Sequence, residues 1–213
     1  MGLPKINLPL FDLKIPSLDK TVKCRPFLVK EEKILLMAQQ SADAGDIVRS
    51  IQQVVNNCIQ DDKFDVTSLT TFDLEYCFLK LRSKSVNNII KLSYRDQEDD
   101  QLYDFDVDLD SIEMIYDENH SNKIKVNDEI TLKLRYPKIE MMDKMNRIDT
   151  EVDIFFEILK YSIESIIVGD NVIKLADHLE EEQEQFIADL DVKSFKKISE
   201  FFSTMPRLQH IIT

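Results

Sequence analysis

A chain of 213 residues accommodates one domain or at most two small ones, and its 43% hydrophobic content supports a buried core. Three glycines (Gly2, Gly45, Gly169) are too few and too dispersed for a phosphate-cradling turn, so the dinucleotide, nucleoside-triphosphate and serine-hydrolase glycine motifs are all missing. A net charge of −13, from 27 Lys and Arg against 40 Asp and Glu, opposes direct binding to nucleic acid and docking on anionic lipid.

The fold class predicted from the order of elements is α+β, with helices flanking a central antiparallel β-meander and an extended Pro-rich N-terminal arm. Residues 1–26 form that arm, because Pro4, Pro9, Pro16 and Pro26 each remove a backbone donor and bias the preceding residue away from helix. Within it Ile6, Leu8 and Leu10 alternate, so one apolar face must bury itself on the body or on a partner. The arm also lacks the apolar run of a signal peptide, and no stretch approaches the ~18 apolar residues of a membrane span. A single α+β domain is expected over 27–213, helical over 30–84, a meander over 87–136 and helical again over 138–208.

Lys30 to Gln40 is a run of strong helix formers. Asp43 caps a second helix, with Asp46 three residues on and a stripe of Ile47, Ile51, Val54, Val55 and Cys58. A third helix runs from a cap at Thr71 through Phe72, Leu74, Tyr76, Phe78, Leu79 and Leu81. The period then changes. Ile89 to Tyr94 reads as a strand, and Leu102 to Leu109 alternates, with Tyr103, Phe105, Val107 and Leu109 on one face and Asp104, Asp106 and Asp108 on the other. Ile112 to Tyr116 and Ile130 to Tyr136 complete the meander. A helix capped at Asp149 or Thr150 carries Val152, Phe155, Phe156, Leu159, Ile163, Ile166 and Ile167 and stops near Gly169. A short strand over Asn171 to Lys174 and helices over Asp177 to Leu190 and Asp191 to Met205 follow.

Charge is unevenly spread. Residues 96–118 hold eight Asp, three Glu and no Lys or Arg, so that segment carries −11 and the remainder of the chain only −2. The alternation Asp104, Asp106, Asp108, Asp110 is the strongest chemical candidate. Calcium would need these oxygens to converge from a tight loop. A calcium loop starting at Asp106 requires Gly at 111 and Glu at 117, where the chain has Ser111 and Asp117, and a strand spreads same-face carboxylates apart. A solvated face or a docking surface for a basic partner fits better, and the repulsion among four like charges favours opposing cations. His120, His178 and His210 show no metal spacing. Cys24, Cys58 and Cys77, odd in number and without a CxxC pair, read as reduced thiols in apolar surroundings. No catalytic, cofactor-binding or metal residue is assigned, and the chain is read as a non-enzyme.

Three blocks carry a resemblance. The first is Arg25-Pro26-Phe27-Leu28-Val29-Lys30-Glu31-Glu32-Lys33 with its helical continuation to Ala38. The second is Leu69-Thr70-Thr71-Phe72-Asp73-Leu74-Glu75-Tyr76 running on to Ser85. The third is Phe195 to Leu208, including Phe201-Phe202-Ser203-Thr204-Met205-Pro206. In order and spacing this resembles the baseplate hub assembly proteins of T-even-type phages, and the blocks bracket residues 25–208. The acidic segment lies outside the pattern.

The resemblance implies a non-enzymatic assembly factor or minor subunit of the baseplate hub of a contractile tail. It implies hub proteins and the tape-measure protein as partners, no cofactor, and a place in the host cytoplasm during assembly and in the virion baseplate. A homo-oligomer stays open. Partner contacts are expected at Asp104, Asp106, Asp108 and Asp110, at Ile6, Leu8 and Leu10 of the arm, and at Arg25 and Phe27 where the arm meets the first helix. The residues alone leave a second reading, an acidic regulator that mimics nucleic acid or binds divalent cations through the Asp-rich strand.

Overall fold

The computed structural model describes residues 7–41, 43–145, 148 and 150–211. It is α+β, as the sequence predicts, with helices and small antiparallel sheets. Contacts gather the chain into two compact units, Met1–Met114 with Leu208–Thr213, and Ile115–Arg207, where the sequence reading has one domain from residue 27 onward.

In the first unit, β1 (Phe11–Ile15) and β2 (Lys20–Cys24) pair as an antiparallel hairpin, Phe11 opposite Cys24 and Ile15 opposite Lys20. Strand periodicity puts Leu13, Ile15, Val22 and Cys24 inside and Asp12, Lys14 and Lys23 outside. The part of the expected arm from Phe11 to Cys24 is therefore extended but folded into a hairpin. The physical reason is a different apolar face, Leu13, Ile15, Val22 and Cys24, which is buried once the Pro16–Asp19 turn, with Asp19 at φ 47°, reverses the chain.

Three helices follow: α1 (Val29–Ser41), α2 (Ala44–Cys58) and α3 (Thr71–Ser85), packed in sequence order. Asp43 caps α2 by accepting from the Asp46 amide at 2.8 Å. Val54, Val55 and Cys58 are fully buried, while Ile47 at the start of the same stripe is exposed. The α3 cap is Thr70 rather than Thr71. A capping box needs an acceptor three residues on, and only from Thr70 does that position hold an acid, Asp73, instead of Leu74.

After α3 come β3 (Ile89–Arg95), β4 (Leu102–Asp108) and β5 (Glu113–Ile115). They do not form the single meander expected from the sequence. β3 and β4 make a two-stranded sheet of their own, and a 3-10 turn at Leu109–Ser111 separates β4 from β5.

The second unit contains β6 (Lys123–Lys125), β7 (Ile130–Leu134), α4 (Met142–Met145), α5 (Glu151–Ser162), β8 (Ile163–Val168), β9 (Asn171–Ile173), α6 (Glu180–Ala188) and α7 (Val192–Ser203). The sheet order is β6-β7-β8-β9, antiparallel throughout. Ile124, Leu132, Leu134, Leu159, Ile163 and Ile198 are among the residues of its apolar core. Finally β10 (Arg207–Gln209) pairs with β5, and from Leu208 the chain belongs to the first unit.

One helix is shorter than its stripe suggests. Ile163, Ile166 and Ile167 continue the apolar spacing of α5, yet they form β8 against β7. β-Branched residues suit a strand, and Arg135 takes the carbonyls freed at the helix end. Its amide donates to Ser162 O at 2.8 Å and its Nε to Tyr161 O at 2.7 Å. The guanidinium also lies 4.1 Å from the Tyr161 ring centre, placing a cation at the negative end of the helix.

Candidate interaction surface

The β3–β4 hairpin has two chemically opposite faces, because directly paired residues of an antiparallel ladder share a side. Ile90 pairs with Val107, Leu92 with Phe105 and Tyr94 with Tyr103, so one face is apolar and aromatic. Ile89 pairs with Asp108, Lys91 with Asp106, Ser93 with Asp104 and Arg95 with Leu102, so the other is mostly charged. Burial is confined to the base of the apolar face. Val107 is 3% exposed, whereas Leu92 stands at 46%, Tyr94 at 59% and Tyr103 at 43%.

The acidic strip is a set of separately partnered carboxylates. Ser93 Oγ donates to Asp104, and Asn88 Nδ2 donates to Asp108 at 3.1 Å. Asp108 also accepts from the Asp110 amide at 2.9 Å, which starts the 3-10 turn. Asp110 accepts from Ser83 Oγ at 2.8 Å and lies 3.6 Å from Lys84 Nζ; the hydroxyl first and the ammonium second hold its carboxyl below the usual range. In the connecting turn, Tyr103 donates to Asp99 at 2.7 Å, lowering that carboxyl and raising the phenol. Arg95 reaches Asp100 at 3.2 Å. Asp104 and Asp106 remain exposed on the strand. Among the described residues, no three His, Cys, Asp or Glu side chains gather as a metal site.

Other sequence-selected residues lie elsewhere. Ile6 is outside the described residues; Leu8 is half-buried and Leu10 exposed, both ahead of β1 rather than within a strand. Arg25 and Phe27 are packed within the first unit. Arg25 Nη2 meets Glu31 Oε1 at 3.0 Å, and Glu31, with no exposure, also accepts from the Leu28 amide at 2.9 Å and Asn57 Nδ2 at 3.3 Å. Burial alone would raise the Glu31 carboxyl; its bonds from Arg25 and Leu28 outweigh that and hold it low. Glu31 in turn raises the Arg25 guanidinium. The Phe27 amide donates to Ser85 Oγ at 2.8 Å, and its ring lies 5.9 Å from that of Phe78.

The other two blocks are likewise spent on packing. Asp73 is fully buried and accepts from both the amide and hydroxyl of Ser17, as well as from Thr70, joining the β1–β2 turn to the start of α3. In α7, Ile198 and Phe201 are buried, and Phe201 stacks on Tyr136 and His120 with ring centres 5.6 and 5.0 Å away. His120 Nδ1 lies 2.9 Å from Thr204 Oγ1, and its Nε2 lies 2.8 Å from the Tyr136 hydroxyl. Burial pushes its pKa down, with Asp117 pulling the other way.

The cysteines are buried thiols. Burial pushes Cys24 up to about 12 and Cys58 up to about 11, and raises Cys77 as well. Such groups stay protonated in neutral water and make poor nucleophiles. No helix among the described residues is long and apolar enough to cross a membrane.

Sequence reasoning placed Tyr103 and Phe105 on one face of this segment but missed that Ile90, Leu92 and Tyr94 of β3 continue it. The signal was present in the alternation of Ile90, Leu92 and Tyr94 with Lys91, Ser93 and Arg95. What it lacked was the register, which sets those residues beside Tyr103 and Phe105.

Comparison with curated proteins gives no significant match, and comparison with solved structures gives none either. The family model described as T4 bacteriophage base plate protein matches residues 8–213. That span includes all three sequence blocks, the acidic hairpin and the elements of both units. The chain belongs to the T4 bacteriophage base plate protein family.

Proposed function

We propose that this baseplate-family protein works in the central hub, as an assembly factor or minor hub subunit acting through protein–protein contacts rather than catalysis. Hub proteins are its immediate partners and the tape-measure protein a further one, met in the host cytoplasm while the tail is built. The observation that carries this reading is the acidic strip of β4, which keeps Asp104 and Asp106 in solvent on a chain whose remaining charge nearly cancels. A concentrated charge of one sign accelerates encounter with an oppositely charged patch and weakens as salt screens it. The resemblance blocks support the same reading by exclusion of role. Arg25, Phe27, Asp73 and Phe201 are occupied with packing, whereas Asp104 and Asp106 stay exposed on the hairpin.

The test is a tagged pull-down from infected cells during tail assembly, read by mass spectrometry at low and moderate salt. Hub or tape-measure proteins that leave the eluate as salt rises are the expected result. An eluate with host nucleic-acid enzymes in place of baseplate proteins would overturn it.

A further inference from the structure

Among the described residues β4 has one strand neighbour in its sheet, β3, and its second edge is open. Open strand edges present unpaired backbone groups and are templates for another strand. A two-stranded sheet is also marginal in water and gains from a third strand. Three features of this edge lie in one register. Tyr103 and Phe105 point to the apolar face, Asp104 and Asp106 to the charged face, and the cations on that face, Lys91 and Arg95, lie on β3.

We propose that the open edge of β4 takes an extended segment of a protein partner in which apolar residues alternate with Lys or Arg. Added beside β4, such a segment lays its apolar residues next to Tyr103 and Phe105, extending the exposed surface of Leu92, Tyr94 and Tyr103 into a covered one. Its cations fall beside Asp104 and Asp106, on the side away from Lys91. Backbone pairing supplies affinity and the two faces supply specificity.

Charge selects both the edge and the occupant. A basic strand beside β3 would meet Lys91 and Arg95. A second copy of this chain pairing β4 to β4 would bring Asp104 and Asp106 against their own kind, which is unfavourable across strands. This inference rests on the proposed role through protein contacts, and it adds the binding mode and the partner's sequence pattern.

The test uses the whole purified chain with synthetic peptides of seven residues, the length of β4. One alternates Lys with Val and Tyr. A second has the same residues in block order, and a third alternates Glu with Val and Tyr. The alternating Lys peptide should bind at least tenfold more tightly than the other two and slow hydrogen exchange at the amides of Leu102, Asp104 and Asp106, which face away from β3. Because all three meet the unaltered protein, misfolding does not confound the comparison.

Equal binding of alternating and block Lys peptides would overturn the proposal, leaving plain charge attraction. So would protection at another edge, or concentration-dependent pairing of the chain with itself through β4. Failure here with baseplate proteins still captured from infected cells removes the binding mode alone. Success here with none captured removes the hub role and leaves the docking chemistry.

Discussion

At the scale of single residues, the two buried carboxyl groups of Glu31 and Asp73 show how the chain holds its most sequence-distinct blocks together. Glu31 has no exposure and depends on Arg25, so truncating the arginine strands a carboxylate in the core. Removing one member of a buried pair costs about 3–5 kcal/mol. Arg25→Ala should therefore lower unfolding stability by about that amount in a urea titration, whereas Lys30→Ala, at the exposed edge of the same carboxylate, should barely matter. The carboxyl is held below its ordinary value of 4.5, so its contribution is complete above that pH and is lost as pH falls through the lowered value.

His120 runs over a different window. Its folded pKa lies below the ordinary 6.5, so the fold prefers the neutral ring, which can accept from Tyr136 and donate to Thr204. The stabilisation is whole above 6.5 and declines as pH drops below it. Melting temperature against pH should show a fall below 6.5 that His120→Gln removes. An unchanged slope in that variant would mean that another group is titrating.

At the scale of elements, helix ends decide what was legible in the sequence. Apolar periodicity located α2, α3 and α7 because each carries a strong local cap and a stripe that packs. It misplaced the α3 cap by one residue, although the spacing from Thr70 to Asp73 was visible. Thr70→Ala should cost about 1 kcal/mol and Thr71→Ala only a few tenths, read from denaturant midpoints. Comparable losses at both positions would contradict the capping box.

The boundary between α5 and β8 was not legible. Ile163, Ile166 and Ile167 satisfy helical spacing, and what makes them a strand is the pairing with β7 and the Arg135 contacts, both distant in sequence. For the same reason β3, β4, β5 and β7 were individually recognisable as strands while their division among separate sheets was not. Alternation within a segment marks a strand; the partner across the ladder is set by tertiary packing. Of the candidate surface, the acidic strip and the opposite face of Tyr103 and Phe105 were legible from alternation, and the union of that face with Leu92 and Tyr94 became evident only with the register.

At the scale of the whole molecule, charge and burial are divided between regions. Within the sequence blocks of the resemblance Glu31, Asp73 and Phe201 are buried, and the excess negative charge lies in a segment whose Asp104 and Asp106 stay in water. Self-repulsion along the strip is only partly relieved by Lys91 and by the hydroxyl of Ser93. The double variant Asp104→Asn, Asp106→Asn should therefore keep or slightly raise the melting temperature at low salt, where like charges are least screened. A clear loss of stability would show that these carboxylates serve the fold.

The same double variant should weaken partner capture mainly at low salt. The central claim, a role in building the baseplate, is tested most directly by removing the chain. Host cells infected with phage lacking this chain, and supplied with it from a plasmid or not, are lysed and their tail structures counted by sedimentation and electron microscopy. Complete baseplates are expected only where the chain is supplied. Baseplates assembled at normal yield in its absence would contradict the claim.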